Sequence, residues 1–306
     1  MSGRFAVKIQ WFPGHMHKAR KELAKRLHAI DLVIEVLDAR IPYSSSNPML
    51  DEIAGDKPRL RVLNKQDLAD PDSTQTWCAA IEKDWAHRAL PLDAVSATTP
   101  DPLIAVCEKL VPDKSHTLRG IQTLVVGIPN VGKSTLINLL VQRTVAKTGN
   151  EPAITRQQQR IDLGNGIVLF DSPGVLWPNI ENAASGFRLG ATGAVKDTAL
   201  EYEEVALFLC EFLARRYPKR LTDRYREAAL NGDEVETLES IGVARGCLGK
   251  GGALDWQRAA KVLVHDFRAG HLGAITLELP DDMRAEKASV ERERELLAEK
   301  KKNKKA

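Results

Sequence analysis

The residues with the clearest chemical meaning run from Gly127 to Ser134, Gly-Ile-Pro-Asn-Val-Gly-Lys-Ser. The spacing G-x-x-x-x-G-K-S belongs to a loop that wraps phosphate. Small residues let the backbone N–H groups of Asn130, Val131, Gly132 and Lys133 through Thr135 surround phosphate oxygens. Lys133 can reach the β- and γ-phosphates, and the Ser134 hydroxyl can ligate Mg²⁺. The helix that begins there aims its positive end at the same anion. The pattern alone has false positives, but an apolar strand, "IQTLVVG" (121–127), precedes it and an apolar helix, "KSTLINLLVQR", follows. Nucleotide binding is the expectation.

Further elements extend the constellation. Asp171-Ser172-Pro173-Gly174 ends the strand "IVLF", where a D-x-x-G element would hold Mg²⁺ through water and sense the γ-phosphate. Thr155 lies between, in "EPAITRQQQ". It is expected to close over the Mg²⁺ with its hydroxyl; the bland alternative is a plain loop threonine.

"LNKQDL" (63–68) supplies a base reader. Asp67 can accept hydrogen bonds from the guanine ring N–H and exocyclic amine, neither of which adenine offers on that edge. Sites of this kind discriminate by roughly 10⁴ or more. Asn64 would brace the loop and Lys65 would lie along the base. Ser96-Ala97, after "LPLDAV", could present a backbone N–H to the guanine oxygen. Asn130 has two readings: bracing of the phosphate loop, or holding K⁺ beside the β- and γ-phosphates in place of an arginine finger.

The order of these elements is unusual. GTPases ordinarily run phosphate loop, switch threonine, D-x-x-G, N-K-x-D and S-A. Here N-K-x-D and S-A come first. Strands can sit side by side whichever is made first, and chain termini often lie close together. The expectation is a circularly permuted P-loop GTPase domain, α/β in class, with a helical domain after it.

The positioning elements follow the same plan. "DLVIEVLDA" (31–39), "RLRVLN" (59–64), "LPLDAVSA" (90–97) and 121–127 read as strands, with helical stretches near 71–86 and 101–112. "QQQRIDLGNGIVLFDSPG" reads as a hairpin folded about Gly164-Asn165-Gly166. Alternating strands and helices predict a mostly parallel sheet. The expected divisions are a basic segment and helix at 1–29, the GTPase domain at 30–178, a helical domain at 179–280, and a charged tail at 281–306. That tail is expected to be a fraying helix or disordered.

Composition adds limits. The chain has 306 residues, 43% of them hydrophobic, and a net charge of only +3. The charge is uneven: residues 1–29 hold seven Lys/Arg against Glu22 alone, and 300–305 read "KKKNKK". Local excess of this kind suits a polyanion such as RNA, or equally a solvated helix face. No apolar run is long enough to span a bilayer, and a cytoplasmic monomer is expected. Cys78, Cys107, Cys210 and Cys247 are too scattered for a zinc site or disulfide framework and read as ordinary thiols.

Taken together, "IQWFPGHMHKARKEL", "DARIPYSSSNP" (38–48), "NKQDL", "GIPNVGKSTLIN", "DSPGVLWP", "ATGAVKD" (191–197) and "FRAGHLGAITLE" resemble the ribosome biogenesis GTPase A family (YlqF/RbgA) of permuted GTPases. The resemblance implies a GTP hydrolase acting late in assembly of the bacterial large (50S) ribosomal subunit. It also implies a C-terminal helical domain that binds rRNA, and turnover stimulated by the subunit. A related permuted GTPase acting on another ribosomal particle or structured RNA is the nearest competitor. Ala153-Ile154-Thr155 departs from the family's usual Gly-Val-Thr, and the Lys-rich tail is not carried over from it.

Ras-like GTPases orient the attacking water with a Gln just after D-x-x-G. Val175 stands there and cannot do so. The resemblance points instead to His15, in "FPGHM"; the alternative is that His15 packs or contacts RNA.

Overall fold

The computed structural model describes residues 21, 23–83, 87–114, 118–148, 160–163, 166–171, 183–195, 197, 200–226 and 232–303. One sheet organises the first half of the chain. Its strands are β1 (Leu32–Asp38), β2 (Arg59–Asn64), β3 (His87–Leu92), β4 (Ile121–Val126), β5 (Arg160–Asp162) and β6 (Ile167–Asp171), in the order β3-β2-β1-β4-β6-β5. All neighbouring pairs are parallel except β5–β6, which is antiparallel. β1 is buried at every position, as a strand covered on both faces must be, which is why "LVIEVLD" is nearly continuous in apolar residues.

The helices are α1 (Pro42–Ser45), α2 (Pro48–Ala54), α3 (Pro71–Ile81), α4 (Asp101–Leu110), α5 (Lys133–Thr148), α6 (Ala183–Thr192), α7 (Tyr202–Arg216), α8 (Pro218–Tyr225), α9 (Glu234–Ala244), α10 (Trp256–Arg268) and α11 (Pro280–Asn303). α3 starts where Asp70 accepts the Ser73 N–H and Pro71 takes the first turn. One continuous core joins Leu32, Ile34 and Val125 of the sheet to Leu209, Leu213 and Leu263 of the helical half. On another face Leu23, Leu27 and Ile30 pack with Val33, Leu50 and Leu124, so the basic N-terminal stretch has an apolar side.

The register fixes the site. Asp38 pairs with Asn64, Asn64 with Leu92, and Val125 with Asp171. Asp38 and Asn64, on one side of β4, and Asp171, on the other, therefore end parallel strands at the edge where β4 runs into Gly127. Carboxyl ends of strands, where the order reverses, are where open α/β sheets build crevices for ligands.

One strand needs correction, and the structure decides between the two readings of the tail. The third strand is His87–Leu92, not 90–97. Asp93 stops it, because its Oδ1 accepts the N–H groups of Val95 (2.9 Å) and Ser96 (3.2 Å) and turns the chain. Of the two readings of the tail, the helical one holds over Pro280–Asn303. Pro280 fits the first turn, Asp281 and Asp282 suit its positive end, and the buried Met283 anchors it. Glu286 adds a bidentate pair with Arg188 of α6, at 3.2 and 2.9 Å.

Candidate functional site

The phosphate-type loop leaves β4 at Gly127, where a Cβ would meet the Val36 carbonyl oxygen at 2.8 Å. Glycine is needed for so close an approach to β1. Asn130 and Gly132 take positive φ, 62° and 94°, and fold the loop back onto the start of α5. Val131 is buried and anchors the loop, Asn130 and Ser134 are exposed, and Lys133 and Thr135 are partly covered.

The "NKQD" segment is joined to this loop directly. Asn64 is buried, and its Nδ2 donates to the Val131 carbonyl at 2.8 Å. Its Oδ1 accepts the Ala94 N–H at 3.1 Å. A Cβ on Gly132 would collide with Asn64 Nδ2, so the second glycine of the loop makes room for this amide. Lys65 adopts φ 60°, and its ammonium donates to the Asn130 carbonyl (2.6 Å) and to Asp38 Oδ2 (2.8 Å). Asp67 follows in a single 3₁₀ turn, Gln66–Leu68, and is exposed.

Asp38 and Arg40, in "DAR", form a buried ion pair. Arg40 Nε donates to Oδ1 at 2.9 Å and Nη2 to Oδ2 at 2.8 Å, with both side chains buried. Burial opposes ionisation of Asp38. The charges of Arg40 and Lys65, with their hydrogen bonds, outweigh it and hold the carboxyl well below the usual range.

The Ser96-Ala97 turn differs from expectation. Ser96 N–H is bonded to Asp93 Oδ1, and Ala97 N–H donates to the Asp93 carbonyl at 2.9 Å. Both amides are engaged within the turn, Ser96 by the Asp93 side chain and Ala97 by its main-chain carbonyl. Presenting either to a guanine oxygen requires that turn to open or to share its bonds.

Asp171 ends β6 beside Val125, so its backbone stands next to the strand that feeds the loop. Ser134 is exposed in the first turn of α5. A hydroxyl and a carboxylate are the hard oxygen donors that Mg²⁺ prefers, and Ser134 and Asp171 are of the residue types that fit the ion. His15, Thr155 and Gly174 lie outside the described residues.

One relationship was not anticipated from the sequence. Asn130 Nδ2 donates to the Gly193 carbonyl at 2.7 Å, tying the loop to the end of α6. Arg268 of α10 holds that end, bonding the carbonyls of Gly190 (2.8 Å) and Ala191 (3.2 Å) and Asp197 Oδ1 (3.0 Å). "ATGAVKD" and "FRAGHLGAITLE" stood out in the sequence, but nothing there showed that they meet.

Comparison with known proteins agrees with this geometry. The family described as "50S ribosome-binding GTPase" matches residues 122–238. Ribosome biogenesis GTPase A of Bacillus cereus is 43% identical over 291 residues, covering 93% of this chain and 98% of that one. A GDP-bound structure of TM YlqF superposes with a TM-score of 0.65 at 26% identity, covering 85% of this chain and 99% of that chain. GNP-bound YlqF from T. maritima gives 0.60 at 25% identity, covering 86% and 98%. With "NKQD" ahead of the phosphate loop in sequence and bonded to it in space, the chain belongs to the ribosome biogenesis GTPase A family of circularly permuted GTPases.

Proposed function

We propose that this chain hydrolyses GTP at a late step in maturation of the large (50S) ribosomal subunit, binding rRNA in a manner set by its nucleotide state. The observation that carries the reading is the Asn64–Val131 bond, which unites a base-reading segment with a phosphate loop. The printed names of the matching family and relatives supply the ribosome.

In this reading Asp67 accepts from guanine, with Lys65 along the base. Lys133 and the loop amides from Asn130 to Thr135 hold the phosphates. Ser134, Thr155 and, through water, Asp171 hold Mg²⁺, which when bound neutralises charge on the phosphate oxygens. Gly174 senses the γ-phosphate, and His15 orients the attacking water where Val175 cannot. Asn130 holds K⁺ through the oxygen of its amide while Nδ2 stays on Gly193.

The helical half offers an RNA-facing surface. Arg224 and Arg245 both pair with Asp266, whose single carboxylate balances only one of them. Such local positive excess attracts phosphate backbones, with binding that weakens as salt rises. No described helix is long and apolar enough to cross a membrane, and we place the protein in the cytoplasm as a monomer.

Co-sedimentation with separated ribosomal subunits, in GDP and in a non-hydrolysable GTP analogue, tests this function. Large-subunit binding that depends on the nucleotide and weakens with salt is expected. Binding to the small subunit alone, or to neither, overturns it. For the water-positioning role, His15→Ala should keep GTP affinity and lose subunit-stimulated turnover.

A further inference from the structure

Residues 270–279 follow α10 and form a strap against the segment after β2, with one further bond to the segment after β1. Ile275 N–H donates to the Leu68 carbonyl at 2.9 Å, and Leu277 N–H donates to the Arg40 carbonyl at 2.8 Å. Between them the buried Thr276 turns its hydroxyl to the same segment, where Oγ1 accepts the Asp70 N–H at 3.1 Å. Trp77 Nε1 donates to the Glu278 carbonyl at 2.9 Å. The Leu68 side chain lies over Gly270, so closely that a Cβ there would come within 2.6 Å of Cδ2.

These contacts fall on either side of a functional residue. Asp67 sits in one 3₁₀ turn and is itself exposed. A lone 3₁₀ turn has poor internal hydrogen bonding, so the direction of its carboxylate depends on what grips its ends. Upstream, Lys65 is bonded to Asp38 and to the phosphate loop. Downstream, the external grips are Ile275 on Leu68 and Thr276 on Asp70. Thr276 is held in turn from the helical half. The Tyr217 hydroxyl donates to the Thr276 carbonyl at 3.2 Å and lies 3.3 Å from the Thr276 N–H. Tyr217 joins α7 to α8.

We propose that Thr276 is a positioning residue for guanine recognition. Through Asp70 and Leu68 the strap sets where the Asp67 carboxylate sits, so the helical half governs base selectivity. This role is separate from the contact the helical half makes with the phosphate loop at Gly193. The inference rests on the reading of Asp67 as the guanine acceptor.

The experiment compares GDP with IDP, whose base lacks the exocyclic amine that Asp67 would accept. Dissociation constants are measured for the wild type, Thr276→Val, Thr276→Ser, Tyr217→Phe and Asp67→Asn. A merely structural Thr276 would weaken both nucleotides equally, because they share ribose and phosphates. A positioning Thr276 shrinks the GDP-over-IDP preference. Thr276→Val should lose about three- to tenfold of that preference, on the scale of one neutral hydrogen bond. Thr276→Ser should restore it, and Tyr217→Phe should reduce it in the same direction. Wild-type preference in both Thr276→Val and Tyr217→Phe overturns the inference. If Thr276→Val does not fold, Tyr217→Phe decides alone. Asp67→Asn tests the premise separately, since it should abolish the GDP preference and gain xanthosine diphosphate. If it keeps the preference, the reading of Asp67 fails and the inference with it. If it behaves as expected while the strap variants do not, the inference alone fails.

Discussion

Asn64 and Val131, 67 positions apart in the chain, are joined by a 2.8 Å hydrogen bond from the Asn64 amide to the Val131 carbonyl. Both residues are buried. The oxygen of that amide accepts the Ala94 N–H, so one side chain ties together the segments that follow β2, β3 and β4. Cutting and rejoining a GTPase chain leaves this junction intact, because it depends on neighbouring strand ends and not on chain order.

Removing that side chain should cost both stability and ligand affinity. Asn64→Ala strands the Val131 carbonyl and the Ala94 N–H, each a buried polar group worth about 1–3 kcal/mol when unpaired. GDP affinity should fall by about tenfold or more as the loop loosens. Gly132→Ala should be harmful for a related reason, since its Cβ collides with the Asn64 amide at φ 94°. In the double variant the colliding group is gone, so the two losses should sum to less than their separate values. Denaturant melts and calorimetric GDP titration check this.

Asn130→Gly removes the bond to Gly193 while keeping the positive φ that Asn130 adopts at 62°. GDP affinity should fall by only about threefold, the scale of one exposed neutral hydrogen bond. If the amide oxygen holds K⁺, the wild type turns over faster in KCl than in NaCl at matched ionic strength, and the variant loses that difference. Equal wild-type rates in the two salts would leave Asn130 as a brace alone.

Glu278 is fully buried and accepts the N–H groups of Tyr43 (2.8 Å) and Ser44 (3.1 Å), with Arg188 at 3.7 Å. Burial pushes its carboxyl above the ordinary 4.5, and Arg188 with the hydrogen bonds of Ser44 and Tyr43 only moderates that. Because the folded value is raised, its contribution is full below the unfolded value and is lost as pH rises through the folded one. Arg188→Met removes the moderating charge and should cost about 3 kcal/mol at neutral pH. That deficit should shrink as pH falls toward 4.5, where Glu278 can be buried neutral. Thermal melts of both proteins across pH 4.5 to 7 test it, and a deficit that is flat with pH would refute this account.

Asp266 runs the other way. Burial raises its carboxyl, but hydrogen bonds from Arg224, His271, Tyr225 and Arg245 prevail and hold it far below the ordinary 3.8. The stabilisation is present above that value and is lost as pH falls through the folded one. Asp266→Asn should melt lower than the wild type at neutral pH, and the gap should close as pH drops below 3.8. The variant should also bind RNA at least as well at matched salt, because it removes the one negative charge in that cluster.

What the sequence determined by itself was chemistry and class. The phosphate-loop spacing, the early "NKQD" and the buried runs of β1, β2 and β4 depend on local residue type and periodicity, which are written in consecutive positions. Even the permutation was legible, because it is a matter of motif order. Where local polar chemistry competed with an apolar run the strand bounds came out wrong: Asp93 ended β3 early and drew the Ser96 and Ala97 amides into its turn. The tail's charge left a fraying helix and disorder both open; Met283 and the Glu286–Arg188 pair, made with a helix far back in the chain, give its first turns something to hold. Tertiary structure alone decided the long-range junctions of Asn64 with Val131, Asn130 with Gly193, and Thr276 with Asp70. Each is a single directional bond between distant segments, and it exists only once packing has brought a donor within about 3 Å of its acceptor. No periodicity or motif spacing encodes that distance.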